Sequence, residues 1–323
     1  MENNIIATLA YYDTLDWPLT AREVFRYLVK IRHSESGNNR GDNDPSDISE
    51  NAVRDSLDRL VNQGNVSKFR NFYFLFGRRY LIPLRRKKYR LAGDKIDKTK
   101  DAVSWLRHVP FVKAISASGS LALGNTSELS DLDIFVITRK GYIWTVRFLI
   151  SFVLSCLGVR RTNKHFIAPD KVCANHFITD KSLDIPFHSM YTAQLYANLI
   201  PMLALNDDIV IEFKEQNRWL LDYIYRWDTE MTDIKPSWIA NTFEWILDLS
   251  IGKFIEKHIR SYQIRRIESG NKKSVNKGRI TYNDNQLEFH PSSPEGRIIP
   301  GYNKRLINAG LSSLAIETDS GLK

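Results

Sequence analysis

The sequence predicts an α+β protein, in which a small mixed sheet with helices is preceded by three helices and a hairpin and followed by a helical region. Two short apolar runs, 112–117 and 134–138, contain β-branched and small residues and predict buried strands. Apolar residues at helical spacing predict helices over 3–12, 51–63 and 85–108. With 323 residues, 43% of them hydrophobic, the chain is long enough for two or three such domains.

Residues 118–136 join the two predicted strands and contain the residues best suited to chemistry. Gly119 and Ser120 follow the first strand, where a glycine turn and a helix N-terminus at Ser120 would present backbone N–H groups to an anion. Asp131 and Asp133 enter the second strand at positions i and i+2, which predicts side chains on one face. Paired carboxylates repel unless a cation lies between them, and Mg²⁺, often shared with phosphates, is the expected cation. The stretch therefore predicts a site for phosphoryl or nucleotidyl transfer.

The order Gly-Ser, ten residues, Asp-Leu-Asp and an apolar strand resembles the signature of the DNA-polymerase-β-like nucleotidyltransferase superfamily. The resemblance implies Mg²⁺-dependent transfer of a nucleoside monophosphate from an NTP, with ATP as the first candidate, to an acceptor that the sequence does not identify. It implies that Gly119, Ser120 and Ser130 bind the nucleotide, and that Asp131 and Asp133 are catalytic and bind the metal. The alternative interpretation is an ordinary strand-turn-helix segment with acidic loop residues.

Most active members of the superfamily bring a third carboxylate from a later strand, and here that position is in doubt. The corresponding predicted strand, 172–179, contains no acid, so the third position falls to Asn175 or His176. An amide oxygen can coordinate Mg²⁺ but cannot act as a general base, and a lone histidine in an apolar strand is more often a core residue. Acids flank the strand at Asp170, Asp180 and Asp184, of which the last could turn back to the site or cap the next helix. Two interpretations stay open: an active transferase, and a catalytically degenerate regulator that binds DNA or a partner.

Residues 1–84 resemble a winged helix-turn-helix domain, with three helices and a hairpin that turns at residues 70–71. Thr20 and Glu23 predict a capping box at the second helix. The third helix carries Asp55 and Asp58 beside its arginines, a poor surface for a phosphate backbone, so a docking role is slightly favoured over DNA recognition. A polar, glycine-rich segment at 34–50 predicts a loop.

The predicted domains are 1–84, a basic connector helix at 85–110, a catalytic domain at 111–188, and a helical C-terminal region with a loop-rich tail at 189–323. Most of the aromatic and aliphatic residues of 189–268 are expected in the core of a helix bundle, with loop-like chain at 270–300 and a short helix at 302–309. The apolar run 142–159 predicts a helix buried against the sheet, with a transmembrane span as the alternative.

The net charge of +9 suggests attraction to polyanions without identifying them. Basic clusters lie at 85–90, 160–164 and 272–279; the second could meet a triphosphate or a nucleic-acid backbone. Use of the basic surface on RNA is a third, weaker alternative. Two cysteines form no disulfide framework, and residues 1–4 lack the features of a signal peptide, so a reducing cytoplasm without membrane attachment is expected.

Overall fold

The structure, a computed structural model, describes residues 1–31, 48–162, 167–228, 231–271, 279–290 and 293–311. Most of the loop expected at 34–50, most of the basic cluster at 272–279 and the tail beyond residue 311 lie outside these ranges.

The N-terminal part contains the three predicted helices and the hairpin, together with a short strand that was not predicted. Its elements are α1 (Glu2–Asp13), β1 (Leu19–Thr20), α2 (Ala21–Arg26), α3 (Glu50–Asn62), β2 (Ser67–Phe69) and β3 (Phe72–Phe74). The strands form an antiparallel sheet in the order β1-β3-β2. The capping box is confirmed, because Glu23 N donates to Thr20 Oγ1 at 3.3 Å and Thr20 N donates to Glu23 Oε2 at 2.8 Å. Assignment of this arrangement to the winged-helix class stays a prediction.

A single helix, α4 (Leu81–Leu106), leads from the hairpin to the central sheet and begins four residues before the predicted connector. Arg85, the first cation of the basic cluster, is buried rather than solvated. Its guanidinium lies 3.4 Å from the centroid of the Trp17 ring, and its Nη2 donates to Glu23 Oε1 at 2.5 Å. This contact attaches α4 to the N-terminal helices.

The central sheet has six strands in the order β7-β4-β5-β6-β9-β8, with β5 and β6 parallel and the other neighbours antiparallel. Its strands are β4 (Val112–Ala117), β5 (Leu132–Thr138), β6 (Val172–Thr179), β7 (Ile200–Ala204), β8 (Arg279–Tyr282) and β9 (Gln286–His290). The accompanying helices are α5 (Gly119–Ala122), α6 (Ile143–Cys156), α7 (Met190–Ala197), α8 (Asp208–Gln216), α9 (Trp238–Leu247), α10 (Ser250–Asn271) and α11 (Glu295–Asn308), with a 3-10 helix at Arg218–Asp222. The α+β class is confirmed, and the predicted bounds of β4 and β6 match those observed.

The C-terminal region differs from the predicted helical region with a loop-rich tail. β7 adds a strand at one edge of the sheet, where Pro201 is tolerated because an edge strand need not donate every N–H group. The expected loop at 270–300 was wrong: β8 and β9 form a hairpin that extends the sheet on the side of β6. α11 also begins seven residues before the predicted helix at 302, and it packs against α1.

The apolar run 142–159 forms α6, the crossover between the parallel strands β5 and β6. Ile143, Trp144, Val146 and Ile150 are fully buried between the sheet and α10. The predicted helix against the sheet is therefore confirmed. None of the helices that the structure describes combines the length and apolarity needed to cross a bilayer.

The expected bundle core was right for the first part of the C-terminal region and wrong for the second. Leu220, Tyr223 and Ile224 are buried. Trp245 is 73% exposed and Leu249 is 56% exposed, on the outer side of α9 and the turn that follows it. Helical spacing alone does not distinguish a face that packs inward from one left on the surface.

Candidate active site

The turn after β4 places glycine directly against one of the paired carboxylates. Gly119 has a φ of +64°, and a Cβ atom at this position would lie 2.9 Å from Asp133 Oδ2. Both the backbone conformation and the close approach therefore require glycine. A backbone hydrogen bond joins the turn to β5: Ser118 N donates to Asp133 O at 3.0 Å. The predicted helix start at Ser120 was displaced: the one-turn α5 begins at Gly119, with Ser118 as its N-cap.

The carboxylates of the two aspartates lie close together, as their i, i+2 spacing predicted. Asp131 directly precedes β5, and Asp133 is the second residue of that strand. Cys173 is the parallel neighbour of Asp133 on β6. Within the described ranges, ligand atoms of these three residues form a group in which all lie within 4.8 Å of one another.

The electrostatics of this group favour a cation between the carboxylates. Burial, followed by the charge of Asp131, raises the pKa of Asp133 to about 6. The guanidinium of Arg161 lies against Asp131 Oδ2 and 3.7 Å from Cys173 Sγ. Burial, with the two aspartates, raises the pKa of the Cys173 thiol, and its soft sulfur is a poor ligand for a hard cation such as Mg²⁺. The donor set that fits is two hard carboxylates, the ligand type of Mg²⁺.

Of the two candidates for the third position, the structure places Asn175 at the carboxylates. The β5–β6 register shifts so that Asn175 is an extra residue between the pairs Ile134–Ala174 and Phe135–His176. Its Nδ2 donates to Asp133 Oδ1 at 2.9 Å. Its Oδ1 is buried without a hydrogen-bond partner among the described residues, so an oxygen is left that could serve as a ligand.

His176 lies in the core beneath this site. Its Nδ1 is 2.8 Å from the Tyr196 hydroxyl, and its Nε2 is 3.2 Å from Gln286 Nε2. Burial lowers the pKa of His176 to about 4, so the ring is neutral at physiological pH. It is not part of the metal-ligand group found among the described residues. The interpretation as a satisfied core histidine fits these contacts.

The remaining predicted residues support the loop that leads into Asp131. Ser130 Oγ accepts from Ser127 N at 3.0 Å, and Ser130 O accepts from Lys95 Nζ at 2.7 Å. Ser120 and Ser130 are both half-buried at the edge of the site.

The three flanking acids do not join the carboxylate pair. Asp170 pairs with Lys95 at 2.6 Å and with Lys98 at 2.5 Å. Asp180 Oδ1 accepts from Lys140 N at 2.9 Å. Asp184 is exposed.

Two residues near the site were missed because they belong to the hairpin that was expected to be a loop. Glu288 on β9 lies opposite His176 in register, and its Oε1 is 3.0 Å from His290 Nδ1. Burial alone would raise the pKa of Glu288, but the hydrogen bond to His290 and the positive charges around it lower that pKa to about 2. His290 is also among the groups that lower the pKa of Asp133, so it lies close enough to act on the site. The alternation Leu-Glu-Phe-His at 287–290 has the period of a strand and could have identified it.

A comparison with protein families found one match to this chain. The model of the family described as "Nucleotidyltransferase domain" matches residues 96–269, more than half of the 323 residues. The matched range includes β4, β5 and β6, and with them the paired carboxylates. Neither a search of curated proteins nor a search of solved structures found a match.

Proposed function

The chain belongs to the nucleotidyltransferase domain family, and we propose that it transfers a nucleoside monophosphate from an NTP to an acceptor in a Mg²⁺-dependent reaction. ATP is the first candidate for the donor, on the superfamily resemblance of residues 118–136. One observation carries the proposal: ligand oxygens of Asp131 and Asp133 lie within 4.8 Å of each other, and Gly119, which has no Cβ atom, lies directly against Asp133.

The oxygens of Asp131 and Asp133 would hold the metal, with the unpartnered Oδ1 of Asn175 as a neutral third donor. A bound Mg²⁺ ion would supply positive charge that offsets the charge developing on the transferring phosphorus. Arg161, now paired with Asp131, adds a fixed positive charge at the same edge of the site. Gly119, Ser120 and Ser130 would line the place of the triphosphate.

A proton acceptor is also needed, because the acceptor group must lose its proton as it bonds to the α-phosphorus and pyrophosphate leaves. We assign this role to His290. Nδ1–H of His290 donates a hydrogen bond to Glu288, so the lone pair on Nε2 can take the proton that the acceptor group loses. The ring is partly exposed, with 28% of the side chain accessible, so an acceptor can reach it.

The second candidate function is a nucleotide-sensing regulator without turnover. It is favoured by the absence of a third carboxylate from the metal-ligand group in the described part of the chain, and by the guanidinium that pairs with Asp131. Both functions require Mg²⁺-dependent nucleotide binding, but only the transferase releases pyrophosphate.

Titration calorimetry of ATP with and without Mg²⁺ tests the site, with Asp131→Ala/Asp133→Ala against the matched control Asp184→Ala, an exposed acid outside it. We expect Mg²⁺-dependent binding that the double variant loses and the control keeps. The fold should survive, because the substitutions remove two mutually repelling carboxylates and the Arg161 guanidinium left without Asp131 is 36% exposed to water. Equal binding by the double variant, or no binding of any NTP by the wild type, would refute the proposal. Pyrophosphate release in an acceptor screen then separates transferase from regulator.

A further inference from the structure

A strongly basic groove lies between the β2–β3 hairpin and the first half of α4, and its lining includes neither Asp131 nor Asp133. We define this basic groove by its five cations, Arg70, Arg79, Arg86, Lys87 and Arg90. Its volume is about 920 Å³, near the top of the range of roughly 300–1,000 Å³ that is usual for small-ligand sites. A single acid, Asp94, occurs among the residues that the structure places along it.

Four of the five cations of the basic groove have no carboxylate partner among the described residues; the fifth, Lys87, pairs with Glu128. Among the described residues, no carboxylate oxygen lies within 4.0 Å of Arg70, Arg79, Arg86 or Arg90, whereas the neighbouring Arg78, Arg85 and Lys87 each have such a partner. Arg86 and Arg90 are also four residues apart on α4, and like charges at this spacing destabilise a helix. An anionic ligand would remove that cost.

Aromatic rings beside these cations provide flat surfaces. The guanidinium of Arg79 lies 3.8 Å from the centroid of the Phe69 ring, and both residues line the groove. Tyr80, also in the lining, is 65% exposed. Unpaired bases stack on aromatic rings and on guanidinium planes, whereas the bases of a duplex are already stacked on each other. This combination fits a single strand better than a duplex or an acidic peptide.

The helix that would enter a DNA groove in a winged helix-turn-helix protein carries no comparable surface. On α3, Arg54 pairs with Glu50 at 3.0 Å and Arg59 pairs with Glu2 at 2.9 Å. Asp58 of the same helix pairs with Lys68 at 2.9 Å. The unpaired positive charge of this region is therefore on the basic groove rather than on α3.

The basic groove contacts the loop that leads into Asp131. Lys87 lines the groove, and its Nζ lies 2.8 Å from Glu128 Oε1. Lys88, the next residue of α4, donates a hydrogen bond to Asn125 Oδ1 at 2.8 Å. Glu128 is three residues from Asp131, so their Cα atoms are at most about 11 Å apart. A strand held in the groove can therefore present its end to the site.

From these observations we infer that the basic groove binds a single-stranded nucleic acid, which is the acceptor of the nucleotidyl group. The acceptor role rests on the proposed function, whereas binding to the groove does not. Transfer would form a bond between a terminal oxygen of the strand and the α-phosphorus of the NTP, with pyrophosphate as the leaving group.

Fluorescence anisotropy with a labelled 12-nucleotide RNA, the same sequence as DNA, and the corresponding duplex tests the inference. The groove variant is Arg86→Ala/Arg90→Ala. The charge-matched control is Lys253→Ala/Lys257→Ala, two exposed lysines also four residues apart, on α10. For single strands each phosphate contact contributes a salt slope of about −0.7, so loss of two contacts should weaken binding roughly 25-fold at 0.1 M salt. We expect this loss in the groove variant and a change below about twofold in the control.

Several results would overturn the inference. These are equal weakening in both double variants, undiminished binding by the groove variant, duplex bound as tightly as single strands, or binding to phosphatidylserine vesicles without binding to any oligonucleotide. The tighter binding of either the RNA or the DNA oligonucleotide would identify which kind of single strand the groove binds. The Asp131→Ala/Asp133→Ala variant should keep its oligonucleotide affinity, and the groove variant should keep its ATP affinity. Failure of ATP binding in a protein that binds the oligonucleotide would thus refute the proposed function and leave groove binding supported.

Discussion

Gly119→Ala tests the geometry of the site most directly, because it adds one methyl group at the carboxylates. The new Cβ would lie 2.9 Å from Asp133 Oδ2, closer than non-bonded carbon and oxygen atoms pack. Asp133 is held on its other oxygen by Asn175 at 2.9 Å, so its carboxylate cannot turn away without loss of that hydrogen bond. The substitution also places alanine at a φ of +64°.

The substitution is expected to lower both the stability of the protein and its affinity for ATP. Alanine in the left-handed region costs about 1–2 kcal/mol of stability. Relief of the contact requires a carboxylate shift of roughly 0.5 Å, given optimal separations of about 3.5 Å. Catalytic groups must be held within about 0.5 Å of their productive positions, and a 1 Å error can cost about 100-fold. We therefore expect Mg²⁺-dependent ATP affinity and turnover to fall by at least about tenfold.

The matched control is Gly141→Ala, since Gly141 has a φ of +88° but an added Cβ there would meet no atom within 4 Å. Urea unfolding should show a comparable loss of stability in both variants, because both place alanine at positive φ. Calorimetry with ATP and Mg²⁺ should show a loss of affinity only in Gly119→Ala. If Gly119→Ala binds ATP and Mg²⁺ as tightly as the control does, Asp133 is not at the metal–nucleotide site, and the reasoning is refuted.

Three further predictions concern stability. The pKa of His176 is about 4 in the folded protein against about 6.5 in an unfolded chain, so the unfolded chain binds an extra proton between these values. The free energy of unfolding should fall by about 3 kcal/mol as pH drops from 6.5 to 4, and urea titrations of His176→Gln should lack this component. Glu295→Ala leaves the buried Arg279 without its closest carboxylate. It should cost about 3–5 kcal/mol in urea unfolding, and a loss below 1 kcal/mol would contradict this pairing. In Gly252→Ala the new Cβ would lie 1.7 Å from Leu247 O, so faster hydrogen exchange at the α9–α10 junction is expected, and unchanged protection would contradict it.

Features that depend on neighbouring residues could be predicted from the sequence. The capping box of Thr20 and Glu23 needs only three residues, and the strand at 172–179 was recognisable from its composition. The glycine and the Asp-x-Asp pair were recognisable for the same reason, since a tight turn and strand alternation are local geometry. Their roles in catalysis stay predictions until the variants are measured.

Features that depend on distant partners could not be predicted in this way. The pairing of β9 with β6 joins His176 to Glu288, residues more than a hundred positions apart, and only that pairing brings His290 to the site. The exposure of Trp245 was equally hidden, because helical spacing is the same for a packed face and an open one.

The sequence by itself determined the two carboxylates, the glycine beside them and the strands that present them, because each of these follows from backbone geometry over a few residues. Only the tertiary structure decided what surrounds them. It placed Asn175 rather than His176 beside Asp133, through one extra residue in the β5–β6 register. It also placed the β2–β3 hairpin beside α4, which forms the basic groove. The relative positions of separate elements depend on packing that no short stretch of sequence encodes.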